Sequence, residues 1–226
     1  MNEKHAAPKR PPFRAAIFDL DGVLVDTAEF HYLAWKQIAE EIGVAFDRRK
    51  NERLRGVPRM ASLEIIVEEM PRKPAHMESL AAQKNEVYVA MIERLTPADL
   101  LPGVRRLLKT LKAEGIRIGL GSSSKNARAV IRLLEVESLL EVVVDGYGFE
   151  RAKPYPDVFL NAGRLLGVSP ANCVVVEDAP SGIAAAKAAG MFAVGISPDG
   201  ALRGADLMVK APAEIPLALW GITSST

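Results

Sequence analysis

The sequence of 226 residues predicts a doubly wound α/β protein with an inserted helical domain. Five short apolar runs, rich in Val and Ile and without polar alternation, predict a parallel sheet, and helical patterns separate them. The interval 27–96 has helical periodicity and no strand-like run. We therefore expect an α/β core over 13–26 and 97–226, an all-α domain over 27–96, and a flexible tail over 1–12.

The predicted strands are continuously apolar and end in small or acidic residues. In chain order they are RAAIFDLD, IRIGLGSSS, LEVVVDG, CVVVEDA and MFAVGIS. Two helices between them have interpretable ends. LPGVRRLLKTLKAEG has Pro102 near its start and Gly115 past its end, and PSGIAAAKAAG begins with Pro180 and ends at Gly190.

Composition limits the partners that the protein can have. The chain has 29 Lys and Arg against 28 Asp and Glu, so its net charge of +1 provides no general attraction for nucleic acid or an anionic membrane. No run approaches the ~18 apolar residues of a membrane span. The single Cys173 forms no internal disulfide, which favours a reducing compartment. We expect a cytoplasmic monomer that binds neither nucleic acid nor membranes.

Polar side chains follow four of the predicted strands, at the edge where ligands bind to parallel sheets. They are Asp19 and Asp21, the serines 122–124, Lys153 in the following loop, and Glu177 with Asp178. So many carboxylates repel each other unless a cation is bound, and hard oxygen ligands suit Mg²⁺. The serine hydroxyls and the lysine suit a phosphoryl group.

Each of these residues also has an ordinary structural interpretation. Asp21 could belong to a turn with the following glycine, Ser124 could cap a helix, and Lys153 could be a solvated loop charge. Glu177 and Asp178 could complement a helix dipole. Together these interpretations require complementary chemistry to collect at four strand ends by coincidence, so we interpret the cluster as a functional site.

Four segments, FDLDGVLVDT, GSSSKN, AKPYPDVF and VVEDAPSGI, occur in the order typical of the haloacid dehalogenase superfamily of phosphotransferases, which the chain resembles over residues 13–210. The helical insert indicates one family within this superfamily. Its segments DTAEFHYLAWKQIAEEIG, NERLRGVPRMAS and AAQKNEVYVAMI, with TPADLLPGV after them, resemble the β-phosphoglucomutase family. The first set indicates the chemistry, and the second indicates the substrate.

The residues and the resemblance indicate the same mechanism. Asp19 is expected to attack phosphorus and form an aspartyl phosphate, and Asp21 is expected to act as general acid and base. The resemblance implies that Mg²⁺ is held by Asp19, the backbone carbonyl of Asp21 and Asp178, with Glu177 among or just outside the direct ligands. Ser122 and Lys153 would then hold the transferring phosphoryl oxygens.

The helical insert is expected to be a cap that closes over the site. His31 and Trp35 lie four residues apart, on one flank of a helix whose predicted buried stripe is Phe30, Ala34, Ile38 and Ile42. His31 alone would more often be packed or solvated, but the resemblance places a histidine near the first aspartates.

The resemblance also implies contacts with the sugar phosphate. Arg59 and Lys84, which could otherwise be solvated, lie in GVPR and AAQKN, segments that meet the sugar phosphate in the family. Ser124, Lys125 and Asn126 would complete a remote phosphate pocket from the core.

Several positions depart from the family pattern and affect the expected hinge and sugar contacts. Arg55 replaces an expected lysine, Pro58 a small polar residue, Ser123 an alanine and Val25 a frequent threonine, and DGYGFER is an unusual approach to the active-site lysine.

Three functions remain open. The first is a mutase that converts β-D-glucose 1-phosphate to glucose 6-phosphate. The reaction intermediate, β-glucose 1,6-bisphosphate, would also be the cofactor that activates the enzyme. The second is a Mg²⁺-dependent phosphatase of small sugar phosphates. The third, a non-catalytic binding module, is disfavoured because acids with opposed roles have no use in binding alone.

Overall fold

The computed structural model describes residues 13–223, so the tail expected over residues 1–12 lies outside the described residues. Six strands form one sheet: β1 (Ala15–Phe18), β2 (Arg117–Gly121), β3 (Val142–Val144), β4 (Cys173–Glu177), β5 (Phe192–Ile196) and β6 (Leu207–Val209). Every neighbouring pair is parallel, in the order β3-β2-β1-β4-β5-β6. The doubly wound α/β fold is therefore confirmed.

The two faces of the sheet are covered by different helices. Four helices cover the sheet, two on each face: α5 (Val104–Ala113), α6 (Ala127–Leu133), α7 (Asp157–Leu166) and α8 (Pro180–Ala188). Phe18 and Leu120 face the cluster that includes α5 and α6, whereas Ile17 and Val175 face the cluster formed with α7 and α8. Alternate residues of each strand are thus buried on opposite faces, which explains the continuous apolar runs.

The helical insert, called the cap below, contains α1 (Ala28–Glu41), α2 (Arg48–Glu52), α3 (Arg59–Ile66) and α4 (Met77–Ile92). Of the stripe predicted for α1, Ala34 and Ile38 are fully buried, whereas Phe30 and Ile42 are half-buried. The cap has its own apolar cluster, which includes Ile38 and Leu63. These helices lie within the predicted interval 27–96, and the division into two domains stays a prediction.

One strand was not predicted from the sequence. β6 has three residues in the segment ADLMVK, where polar flanks hide so short an apolar run. It pairs with β5 at the sheet edge and does not contribute to the acidic cluster described below.

Across residues 13–223, no helix combines the length and the apolar character that crossing a bilayer requires.

Candidate active site

Strand register brings the predicted acids to one edge of the sheet. Phe18 is level with Leu120 of β2 and with Val176 of β4, so Asp19, which follows Phe18, lies between the ends of these two strands. The backbone N–H of Asp19 donates to the carbonyl of Val176 at 2.9 Å. Ser122 follows β2 directly, and Glu177 is the last residue of β4. Parallel pairing alone therefore places these side chains side by side.

A buried lysine joins two of the carboxylates. Lys153 Nζ donates to Asp19 Oδ1 and to Glu177 Oε1, both at 2.6 Å. Burial opposes the ammonium charge, but Asp19 and Glu177 together raise the pKa of Lys153 above its usual value. Burial raises the pKa of Asp19 well above its ordinary value, although Lys153 opposes this effect. The lysine therefore stays charged beside the predicted nucleophile.

Glu177 is held on both of its oxygens. While Oε1 accepts from Lys153, Oε2 accepts from the backbone N–H groups of Asp178 and Ala179, both at 2.8 Å, at the start of α8. A Cβ at Gly182 would lie 1.8 Å from Oε1, so this helix must carry a glycine where it passes the carboxylate. Glu177 thus fixes the position of the loop that carries Asp178.

Three carboxylates are close enough to share a metal ion. One oxygen from each of Asp19, Glu177 and Asp178 lies within 4.8 Å of the others. Burial, together with the neighbouring Glu177, raises the pKa of Asp178 to about 6. Gly22 has φ of +76°, and a Cβ there would lie 2.0 Å from Asp178 Oδ2, so only glycine fits beside this carboxylate. Clustered hard oxygen donors are the ligands that Mg²⁺ prefers, so the residues present fit this ion.

Asp21 contacts a different set of groups from Asp19. Thr27 Oγ1, at the hinge between core and cap, donates to Asp21 Oδ1, and His31 Nε2 lies 3.9 Å from Asp21 Oδ2. Burial raises the pKa of Asp21, and the hydrogen bond from Thr27 opposes this increase. A carboxyl group whose pKa is raised in this way is suited to carry a proton during the reaction.

The cap adds a basic pair next to Asp21. Lys84 Nζ lies 2.8 Å from His31 Nδ1, and the His31 ring stacks on Tyr88 with centroids 4.2 Å apart. Burial lowers the pKa of Lys84 to about 7, and burial with the charge of Lys84 lowers the pKa of His31 well below its usual value. Burial and Lys84 thus favour the neutral form of His31, and when Lys84 is charged it can only donate, so His31 Nδ1 then accepts and Nε2 carries the proton.

A second group of donors lies at the interface of cap and core. Arg59 Nη2 donates to Asn85 Oδ1 at 2.6 Å, and Asn126 Nδ2 from the core donates to the same oxygen at 2.8 Å. Lys125 Nζ lies 4.8 Å from the centre of the Tyr147 ring. Ser124 Oγ accepts from the backbone N–H of Asn126 at 3.2 Å, which is a turn contact just before α6, and the predicted role of Ser124 as a helix cap is wrong because Asn126 is the N-cap residue.

All of the predicted site residues line the same cleft, which has a volume of about 770 Å³ and lies between cap and core. They are Asp19, Asp21, His31, Trp35, Arg59, Lys84, Ser122, Ser124, Lys125, Asn126, Lys153, Glu177 and Asp178. Trp35 is only 3% exposed and packs mainly within the apolar cluster of the cap, so it presents little surface to the cleft. The roles predicted for these residues stay predictions.

The structure brings three further polar residues to the site. Thr27 contacts Asp21, Asn85 contacts Arg59 and Asn126, and Arg55 Nη2 donates to Asp178 Oδ2. Of these three residues, the sequence analysis singled out only Arg55, because it replaces the lysine expected from the family pattern. Asn85 and Thr27 are ordinary polar helix and hinge residues, and only the packing of cap against core assigns their contacts.

Comparison with known proteins identifies the family. Residues 13–190 match the haloacid dehalogenase-like hydrolase family. The β-phosphoglucomutase of Bacillus subtilis is 49% identical over 210 residues, which cover 91% of this chain and 93% of that protein. The chain belongs to the β-phosphoglucomutase family of haloacid dehalogenase-like proteins. The resemblance drawn from the sequence motifs is thus confirmed.

Other relatives include both a mutase and a phosphatase. The crystal structure of β-phosphoglucomutase from Clostridium difficile has a TM-score of 0.86 and 38% identity, covering 91% of this chain and 94% of that one. A phosphorylated carbohydrates phosphatase of Thermotoga maritima is 34% identical, covering 78% of this chain and 82% of that protein. The proteins similar to this chain therefore include both mutases and a phosphatase.

Proposed function

We propose that the protein is a β-phosphoglucomutase, which interconverts β-D-glucose 1-phosphate and glucose 6-phosphate through β-glucose 1,6-bisphosphate. The observation that carries this proposal is that two different groups of cationic and hydrogen-bond-donating side chains line one cleft. Asp19, Ser122 and Lys153 line one end, whereas Arg59 and Lys125 belong to a second group of donors. A bisphosphate that must bind in two orientations needs both groups, and the 49% identity to a β-phosphoglucomutase agrees.

At the first end, the chemistry proceeds in two transfers. A carboxylate oxygen of Asp19 forms a bond to phosphorus as the bond from phosphorus to the sugar oxygen breaks, and Asp21 donates a proton to that leaving oxygen. In the second transfer, a sugar hydroxyl gives its proton to Asp21 and attacks the aspartyl phosphate, which restores the Asp19 carboxylate. The raised pKa of Asp21 suits a group that alternates between acid and base.

Mg²⁺ would be held by Asp19, the backbone carbonyl of Asp21 and Asp178, and it would neutralise phosphoryl charge. Glu177 would lie among or just outside the direct ligands, since both of its oxygens already accept hydrogen bonds from the protein. Ser122 and the charged Lys153 would bind the transferring phosphoryl oxygens. Most of the rate increase would then come from positioning and from neutralising charge.

At the second end, the cap and the core would share the remote phosphate. Arg59 contributes a guanidinium that can bind two phosphate oxygens in parallel, and Ser124, Lys125 and Asn126 complete the pocket. His31 lies beside Asp21, and Lys84 contacts His31 and the Trp35 ring, so His31 and Lys84 would contact the sugar and Trp35 would support them from the cap. A cytoplasmic, monomeric state without nucleic-acid or membrane partners stays a prediction from composition.

The alternative is a sugar-phosphate phosphatase, which the similarity to the Thermotoga maritima enzyme favours. The chemistry at Asp19 is the same in both cases, and the acceptor of the phosphoryl group differs. The decisive experiment is incubation with Mg²⁺, β-glucose 1-phosphate and a trace of β-glucose 1,6-bisphosphate, followed by measurement of glucose 6-phosphate and free phosphate. We expect mainly glucose 6-phosphate, and mainly free phosphate would refute the mutase proposal.

A variant of Arg59 tests the second end of the cleft separately. Charge-assisted hydrogen bonds contribute about 1.5–3 kcal/mol each, so Arg59→Ala should lower kcat/KM for β-glucose 1-phosphate at least about 10-fold. Acetyl phosphate has only the phosphoryl group that is transferred, and it should phosphorylate Asp19 at a nearly normal rate. Equal losses with both donors would mean that Arg59 acts on the transferring group or on the fold.

A further inference from the structure

Asn85 is a polar residue of α4 that follows Lys84 in the segment AAQKN, and the sequence analysis assigns it no role of its own. Its side-chain oxygen accepts hydrogen bonds from Arg59 of the cap, at 2.6 Å, and from Asn126 of the core, at 2.8 Å. We propose that Asn85 is a positioning residue that orients these two donors toward the remote phosphate. The inference rests on the proposed function, because that function requires a second phosphate site.

The geometry places Asn85 behind the donors and outside the binding surface. Arg59 and Asn126 line the cleft, whereas Asn85 does not. A carbonyl oxygen has two lone pairs, and the two hydrogen bonds occupy both of them in Asn85 Oδ1. One nitrogen of Arg59 and the amide nitrogen of Asn126 are thereby fixed, and the other N–H groups of Arg59 stay available to an anion.

Asn85 is uncharged, which suits it to orient Arg59 without cancelling the positive charge of the guanidinium. Within residues 13–223, no carboxylate forms an ion pair with Arg59, and its electrostatic neighbours include the phenols Tyr88 and Tyr147 and the cationic Lys84. An aspartate at position 85 would offer the same acceptor oxygen but would cancel the charge of the guanidinium. An amide orients the arginine and leaves its positive charge free to attract phosphate.

The position of Asn85 between cap and core gives it a second consequence for binding. Arg59 begins α3 in the cap, and Asn126 precedes α6 in the core, so a single oxygen brings donors from both sides together. Donors that are already oriented lose less conformational freedom when the ligand binds, which increases affinity. Loss of Asn85 should therefore weaken binding of the remote phosphate and leave the chemistry at Asp19 unchanged.

The test measures binding of glucose 6-phosphate by calorimetry at fixed salt, independently of turnover. Asn85→Ala should raise Kd about 5- to 10-fold, because the two hydrogen bonds that orient the donors are lost. Asn85→Asp should raise Kd at least as much while its thermal midpoint stays at the wild-type value. A purely structural link between cap and core would survive in Asn85→Asp, because an aspartate keeps the acceptor oxygen. Unchanged binding in Asn85→Ala, which removes the acceptor oxygen, would overturn the proposal.

The control is Gln83→Ala, on the same helix. Gln83 Nε2 donates to Glu41 Oε2 at 2.6 Å within the cap, and Gln83 does not line the cleft. Its loss removes an amide hydrogen bond from α4 and should leave Kd unchanged. An equal increase of Kd in Gln83→Ala and Asn85→Ala would show a general effect on the cap and would overturn the proposal.

Kinetics and a combined variant complete the experiment. Asn85→Ala should raise KM for β-glucose 1-phosphate with the rate of Asp19 phosphorylation by acetyl phosphate unchanged. In the double variant Arg59→Ala with Asn126→Ala, the further change Asn85→Ala should add no loss of affinity, because both residues through which it acts are absent. An additional full loss would overturn the proposal. Wild-type protein that binds glucose 6-phosphate but forms no isomer would refute the mutase function alone.

Discussion

Lys153 should stabilise the metal-free protein as well as serve its chemistry. Its ammonium group lies between Asp19 and Glu177, 2.6 Å from each, and the side chains of Lys153 and Glu177 are 1% exposed. Lys153→Met keeps the apolar stem and removes the charge, which leaves two buried carboxylates facing each other. Breaking a buried ion pair by removing one partner costs about 3–5 kcal/mol, and we expect a loss of this size.

Urea denaturation near pH 7 in the presence of a chelator measures this loss. Lys187→Met is the control, since Lys187 pairs with Asp206 at the surface with its side chain 45% exposed. An exposed pair contributes about 0–1 kcal/mol, so the control should stay close to wild type. Saturating Mg²⁺ should return part of the stability of Lys153→Met, because a cation bound to Asp19 replaces some of the lost positive charge.

The pH dependence of the stability loss in Lys153→Met provides a further check. Burial raises the folded-state pKa of Asp19, and removal of Lys153 raises it more. A carboxyl group with a higher pKa in the folded state than in the unfolded state binds protons preferentially in the folded state. The loss in free energy of unfolding of Lys153→Met relative to wild type should therefore become smaller as pH falls from about 7 toward about 4, the pKa of Asp in the unfolded chain. A deficit below about 1 kcal/mol, or one that grows on acidification, would refute the reasoning.

Three other predictions concern the predicted acids and Lys84. Asp19→Asn should abolish phosphoenzyme formation from acetyl phosphate, and substantial retained labelling would exclude Asp19 as nucleophile. Asp21→Ala should lower kcat about 10²- to 10⁴-fold while Mg²⁺ still binds in a titration, and loss of Mg²⁺ binding would make Asp21 a side-chain ligand. Burial lowers the pKa of Lys84 to about 7, so the unfolded chain binds more protons than the folded protein up to about pH 10. Wild-type stability relative to Lys84→Met, from urea denaturation, should rise between about pH 7 and 10, and a flat difference would contradict the lowered pKa.

The core half of the site could be predicted from sequence because the fold leaves it little freedom. Parallel strands end at one edge, so Asp19, Ser122 and Glu177 become neighbours once the apolar runs are identified as strands. No comparable rule applies to the cap. Its contacts depend on how four helices pack over the sheet, and the family resemblance alone pointed to Arg59 and Lys84.

Side-chain partners distant in the chain could not be predicted from local pattern. Asn85 contacts residues 26 and 41 positions away, and Arg55 contacts Asp178 across 123 positions. Each of these residues has the polarity of an ordinary exposed helix or loop position, so periodicity carries no information about the contact. Similarly, the three residues of β6 are too few for a periodic signal.

The roles proposed for core and cap would explain why the relatives include both mutases and phosphatases. In the proposed mechanism, Asp19, Asp21, Lys153 and Asp178 of the core serve the aspartyl phosphate, which both activities require. The same proposal assigns to the cap the groups that decide the acceptor, because a water molecule needs no second anion site and a sugar bisphosphate does. In this proposal Arg59 and the other donors at the cap–core interface supply that site, so changes there should shift the ratio of isomer to free phosphate while the rate of Asp19 phosphorylation by acetyl phosphate stays the same.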